Sequence, residues 1–191
     1  GNTIPVQILT EILQFCASKK IRVVADECFL RFHPHYEKMS CKRFLKQYPN
    51  LLIVNAFTKF YAMAGLRLGY LMTGDLSLLH AVAQQLPEWN VSSIAQRAGI
   101  SALQDTEYEK RTRQLIEKER RYLIQEFLKM GCTVFPSEAD YITFRLPQEK
   151  TGFLLKERLL EGKILIRSCA NYRNMPPDCY RIAVKQHADN E

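Results

Sequence analysis

Apolar residues recur at helical spacing in "PVQILTEILQFCASKK", at Ile8, Ile12, Leu13 and Phe15 to Cys16, which predicts an amphipathic helix. Lys19 and Lys20 suit its C-terminus, where cations meet the negative end of the helix dipole. "IRVVADECF" then changes the period. Ile21, Val23 and Val24 give a short β-branched strand, with Asp26 and Glu27 at its C-terminal end. "CKRFLKQYPN" reads as a short helix closed by Pro49 and Asn50, "LLIVNAF" as a second strand and "GLRLGYLMTG" as a third. This alternation predicts an α/β architecture around a mostly parallel sheet with covered faces.

From about Ser77 the pattern changes. "LSLLHAVAQQLPEWN" and "SSIAQRAGISALQ" are helical, separated by a Pro-Glu-Trp-Asn break. "DTEYEKRTRQLIEKERRYLIQEFLKMG" predicts a long amphipathic helix, with Asp105 as N-cap and Gly131 as its stop. The remainder reads as short strands "CTVFP" and "YITFRL", a helix "TGFLLKERLLEG", and strands "ILIRSC" and "YRIAVK". A first domain over 1–100 and an α+β second domain over 101–191 are expected, joined by the long helix. "GNTIPVQ" at the start and a helix beginning at "HADNE" lead us to expect a segment of something longer.

Composition narrows the class. The chain has 191 residues, 47% hydrophobic and 25% charged, with a net charge of +7, so it is globular and not disordered. The densest basic run, "EKRTRQLIEKERR", alternates with glutamates at helical spacing and reads as a solvated face. Nucleic acid is therefore not the expected partner, and a phosphorylated small molecule fits the charge as well. Six cysteines, at 16, 28, 41, 132, 169 and 179, form no C-x-x-C pair, and His33, His35, His80 and His187 lack zinc-ligand spacing. No metal is expected. The cysteines read as small buried hydrophobes in a reducing compartment. No membrane span or signal peptide is seen, which makes the cytoplasm the expected location.

Chemistry concentrates in two stretches. "NAFTKFYAMAGLRLGY" places one lysine, Lys59, among apolar residues and follows it with Arg67 between Gly65 and Gly69. It reads as a buried amine, a tight turn and a strand that opens on a cation. Ligands of open α/β sheets sit at the C-terminal ends of strands. Asp26 ends one strand, Lys59 follows another and Arg67 precedes a third, so the three are expected to converge on one crevice.

"VVADECFLRF" and "FTKFYAMAGLRLGY" together resemble the class I/II aminotransferases among the fold-type I pyridoxal-phosphate enzymes. Their pattern is D-E-x-[YF] after a strand, then Lys and G-x-R-x-G-Y. The resemblance covers essentially the whole chain. It implies the second half of a large domain plus most of a small C-terminal domain. It implies pyridoxal 5'-phosphate as cofactor, a homodimer and an amino-acid substrate. Lys59 would be the catalytic amine that joins the cofactor aldehyde, a role that needs an uncharged lysine, which burial and nearby cations favour. Asp26 would hold the pyridinium nitrogen protonated, Arg67 would grip the phosphate, and Phe29 would also lie against the cofactor. Gly65 and Gly69 would let the backbone bend close to the site.

Within that family "DECFLRFHPH" and "ILIRSCANY...YRIAVK" are similar to the threonine-phosphate decarboxylases, with the histidinol-phosphate aminotransferases as their nearest relatives. The narrower resemblance implies decarboxylation of O-phospho-L-threonine to aminopropanol phosphate. Arg181 would bind the substrate carboxylate and Arg167 its phosphate. An aminotransferase of the histidinol-phosphate type and a fragment inactive by itself are the alternatives. Ala56 departs from the pattern: it stands where the family carries a Ser or Thr hydroxyl for the cofactor phosphate, and Thr58 is not at the matching position. Cys28 replaces a small alanine.

Overall fold

The computed structural model describes residues 1–150 and 154–191. The chain divides into two compact units, Thr3–Lys110 and Arg111–Glu191, with Gly1–Asn2 joining the second. The division falls inside the long helix, ten residues beyond the boundary expected from the sequence.

In the Thr3–Lys110 unit, helix α1 (Val6–Ser18) leads into strand β1 (Val23–Asp26), a short helix α2 (Tyr36–Met39), strands β2 (Leu51–Ala56) and β3 (Gly69–Thr73), and helices α3 (Leu76–Gln85) and α4 (Ser93–Gln104). Helix α5 (Thr106–Lys129) begins in this unit. The order in the sheet is β1-β2-β3. β1 runs parallel to β2, with Asp26 opposite Val54, whereas β3 is antiparallel to β2, with Gly69 opposite Ala56. The sheet is thus mixed and not mostly parallel. The link from Phe57 to Leu68 forms a 3-10 turn over Ala64–Leu66 and no α-helix, so it lacks the helical crossover that usually joins parallel strands, and the chain turns back on itself.

α1 packs on the sheet through Leu9 and Leu13, one turn apart, against Leu51, Ile53, Val23 and Met72. Burying Leu13 completely is worth about 2 kcal/mol. Ile8, Ile12 and Phe15, which carried the periodicity in the sequence, lie on the exposed side of the same helix. "CKRFLKQYPN" forms a 3-10 turn over Cys41–Phe44 in place of the expected α-helix.

The second unit builds strands β4 (Thr133–Phe135) and β5 (Tyr141–Arg145), helix α6 (Leu155–Glu161), strands β6 (Arg167–Ser168) and β7 (Cys179–Ala183), and a short C-terminal helix α7 (His187–Asn190). The first residues of the predicted "TGFLLKERLLEG" helix, 151–153, lie outside the described residues. The strands form an antiparallel sheet of order β4-β5-β7-β6. One face carries Val134, Phe144, Tyr180 and Ile182, which pack with Phe127 of α5 and Leu155 and Leu159 of α6. The other face carries Tyr141, Thr143, Arg181 and Arg167 by strand alternation. Asp105 caps α5 by accepting from the Tyr108 amide at 2.8 Å, and Gly131 ends it with φ +79°. Among the described residues no helix is long and apolar enough to cross a membrane.

Candidate functional site

β1 delivers Asp26 to the rim of the first sheet, and the parallel register puts the end of β2 beside it. The chain leaves β2 at Ala56 and reaches Lys59 three residues later. It returns to β3 at Gly69, two residues after Arg67. Because β3 is antiparallel, its first residue meets the last residue of β2. Asp26, Lys59 and Arg67 therefore share one edge of one sheet.

Lys59 is exposed, not buried as its apolar neighbours led us to expect. Its neighbours Phe57, Phe60 and Tyr61 turn into the protein and form a ring cluster. Phe57 stacks on Tyr61 at 5.1 Å between centroids, and Phe60 meets Phe32 edge-on at 5.1 Å. Lys59 sits outside that cluster, with Nζ 5.6 Å from the centre of the Phe29 ring. The apolar residues around it in the sequence anchor the turn and leave the amine free to reach the rim.

The turn is tight. Ala62 N–H donates to the Lys59 carbonyl at 3.0 Å and Met63 N–H to the Phe57 carbonyl at 3.2 Å. Ala62 (φ +53°) and Arg67 (φ +54°) occupy the left-handed region, strained for residues with a Cβ. The left-handed conformation falls on Arg67, between the two glycines, and on neither glycine. Gly65 has open space where a Cβ would stand, whereas a Cβ on Gly69 would come within 3.0 Å of the Asn55 carbonyl. Arg67 donates through one guanidinium nitrogen to the Ala64 carbonyl at 3.0 Å and is otherwise exposed.

Asp26 is exposed, and its Oδ1 accepts from the Cys28 amide at 2.9 Å. The Cys28 thiol is pushed up to about 11, by burial first and then by its hydrogen bond to Asp26, so it stays protonated at neutral pH. Glu27 has a separate role that the sequence did not disclose. It is buried, accepts from the Ser40 hydroxyl at 2.9 Å and from the Cys41 amide at 2.6 Å, and so ties the loop after β1 to the turn before β2. The Cys41 thiol beside it is pushed up to about 12 by burial first and by the Glu27 charge next. Alternation along a strand carried the only signal: Asp26 faces out, so Glu27 must face in.

In the second unit Arg167 on β6 is the direct cross-strand partner of Arg181 on β7. Arg181 lies over the Tyr141 ring at 4.9 Å, and Arg167 over the Tyr172 ring at 5.6 Å. The N-terminal amine of Gly1 feels the Arg181 charge. Neither arginine has a carboxylate partner among the described residues.

The first rim presents a carboxylate, an amine over an aromatic ring, and a guanidinium with spare donors. That donor set fits pyridoxal phosphate, whose pyridine nitrogen, aldehyde and phosphate call for one of each. The match is incomplete at Ala56, which offers no hydroxyl and whose amide donates to Asn55 Oδ1 at 2.8 Å.

The aminotransferase class I and II family model matches residues 1–191. The chain belongs to this family. It is 36% identical over 185 residues to the threonine-phosphate decarboxylase of Salmonella typhimurium, covering 96% of this chain and 50% of that protein. It is 32% identical over 193 residues to the histidinol-phosphate aminotransferase of Oleidesulfovibrio alaskensis, covering 100% of this chain and 49% of that one. In structure it matches the histidinol-phosphate aminotransferase from Clostridium acetobutylicum with a TM-score of 0.89 and 31% identity, over 98% of this chain and 56% of that chain. The chain spans about half the length of these relatives.

Proposed function

We propose that this chain carries the lysine and the substrate anchors of a pyridoxal-phosphate-dependent enzyme, and that the whole protein decarboxylates O-phospho-L-threonine as a cytoplasmic homodimer. The observation that carries the cofactor reading is the shared edge on which Asp26, Lys59 and Arg67 stand. When bound, pyridoxal phosphate supplies an electron sink for the pair left on the substrate's α-carbon. Asp26 would face the ring nitrogen and favour its protonated form by charge. Arg67 would hold the phosphate through the guanidinium donors that its bond to Ala64 leaves free. Phe29 would flank the ring. Lys59 would hold the aldehyde carbon and, with substrate bound, would carry a proton to the α-carbon.

The paired arginines support a doubly anionic substrate. Arg181 would take the carboxylate in a bidentate grip and Arg167 the phosphate. Binding energy from the phosphate, remote from the reacting bond, then holds the carboxylate in the orientation that favours its loss. A second reading, an aminotransferase of the histidinol-phosphate type, is favoured by the relative at 32% identity. In that reading Lys59 shuttles the α-proton and the carboxylate stays.

The test starts with the chain and pyridoxal phosphate. Borohydride reduction followed by peptide mapping should place the label on Lys59, and Lys59→Ala should remove it. Labels scattered over other lysines would overturn the cofactor reading. For the whole protein, phosphothreonine should yield CO2 and an amine. A keto product without CO2 would decide for the aminotransferase.

A further inference from the structure

We propose that Glu109 is a positioning residue for Lys59, acting from the first turn of α5 through Tyr61 and Arg31. The inference rests on Lys59 being the reactive amine of the proposed function. It names a residue from a helix that otherwise contributes nothing to the rim.

The geometry is a double contact between two loops. In front, Phe29 of the loop after β1 lies against Lys59 of the loop after β2. Two residues further along each loop, Arg31 and Tyr61 meet behind them. Both donate to the same oxygen, Glu109 Oε1, Arg31 Nη1 at 2.5 Å and the Tyr61 hydroxyl at 2.5 Å. The Arg31 guanidinium also lies 5.4 Å from the centre of the Tyr61 ring and 5.0 Å from that of Tyr36. Only 15% of the Arg31 side chain and 11% of the Glu109 side chain are exposed, so the pair is largely removed from screening by water. From the same helical turn, the Tyr108 hydroxyl donates to the Phe60 carbonyl at 3.0 Å. The first turn of α5 thus holds the two residues that directly follow Lys59, one by its backbone and one by its side chain.

The chemistry suits a fixed brace. The Tyr61 hydroxyl is pushed up, by burial first and then by its bond to Glu109, so it remains a donor at neutral pH. A carboxylate that accepts from a phenol and a guanidinium at once has two loops to hold. Removing it takes from both loops the acceptor that they share, and with it the contact that ties one loop to the other.

The experiment compares Glu109→Ala, Glu109→Gln and Tyr61→Phe with the parent chain, without cofactor. Hydrogen exchange is read at Ala62 and Met63, whose amides close the turn around Lys59. The pH profile of reductive methylation at Lys59 is read alongside. In Glu109→Ala both amides should exchange about tenfold faster, the scale of one lost charged hydrogen bond, and the methylation profile should move. Amides of the β1–β2 ladder should keep their rates. Glu109→Gln keeps an acceptor for Tyr61 and should recover most of the protection. Unchanged turn amides, or an equal rise throughout the sheet, would overturn the proposal. If Glu109→Ala does not fold, Tyr61→Phe decides by the same criteria. These readouts need no pyridoxal phosphate, so a failure of the proposed function would show separately, as absent labelling of Lys59 in the parent chain.

Discussion

Arg167 and Arg181 stand directly opposite each other on the antiparallel β6–β7 ladder, with their side chains on one face of the sheet. Like charges placed directly across a ladder are destabilising, by roughly 0.2–1 kcal/mol. The aromatic rings of Tyr172 and Tyr141 under the two guanidinium groups offset part of that cost. A bound dianion would offset the rest. Inorganic phosphate should therefore raise the melting temperature of the chain, and Arg167→Ala should abolish the rise. In the whole protein Arg181→Ala should reduce activity on every amino-acid substrate. Arg167→Ala should chiefly reduce the preference for phosphothreonine over threonine, measured as the ratio of kcat/KM values. A ratio that stays the same removes Arg167 as the phosphate anchor.

Ala56 ends β2 without the hydroxyl that the family pattern carries there, and its amide is already engaged by Asn55. Ala56→Ser should tighten pyridoxal-phosphate binding by about fivefold, corresponding to ~1 kcal/mol for one hydrogen bond. Spectroscopic titration reads the change. No gain would place the cofactor phosphate away from the end of β2.

Glu27 holds two elements with one buried carboxylate. Glu27→Ala leaves the Ser40 hydroxyl and the Cys41 amide without their acceptor. It should cost about 3 kcal/mol in chemical denaturation. Glu27→Gln should cost less and should lower the Cys41 thiol from about 12, because the charge that helps to raise it is gone. Burial remains the larger cause, so the thiol should stay above its ordinary value. Thiol titration of the folded variant checks this.

Glu119 of α5 is 1% exposed and meets His187 Nδ1 at 3.0 Å and the Asn190 side-chain amide at 3.1 Å. The hydrogen bond with His187 holds its carboxyl below the usual carboxylate range, against the upward push of burial. A lowered folded pKa means that the contribution is complete above the unfolded value, about 4.3, and is lost as pH falls through the folded value. The melting temperature should therefore fall on acidification below that value, and Glu119→Gln should flatten this part of the profile. If parent and variant fall in parallel, the contact between α5 and α7 contributes nothing to acid stability.

Much of the fold was legible because its signals are local. The N-cap at Asp105 and the stop at Gly131 bound α5 within a residue or two of the expected limits. Strand alternation and β-branched runs located β1, β2 and β5. The spacing of Asp26, Lys59, Arg67 and their glycines named the family, since a chemical motif survives as a pattern of residue types. What the sequence left open depended on pairing at a distance. The antiparallel direction of β3 follows from a link that turns back without a crossover helix. Leu9 joins the expected Leu13 in facing the sheet, while Ile8 and Ile12 stay exposed, because only one side of α1 is offered a partner. Lys59 is exposed because its apolar neighbours are drawn into a ring cluster with Phe32, which comes from a separate segment. Glu109 lies 50 residues from Lys59 in a run of charges that reads as a solvated face. Only tertiary structure brings Arg31 and Tyr61 to it, because a carboxylate in such a run shows no partner until the loops that supply its donors have folded against it.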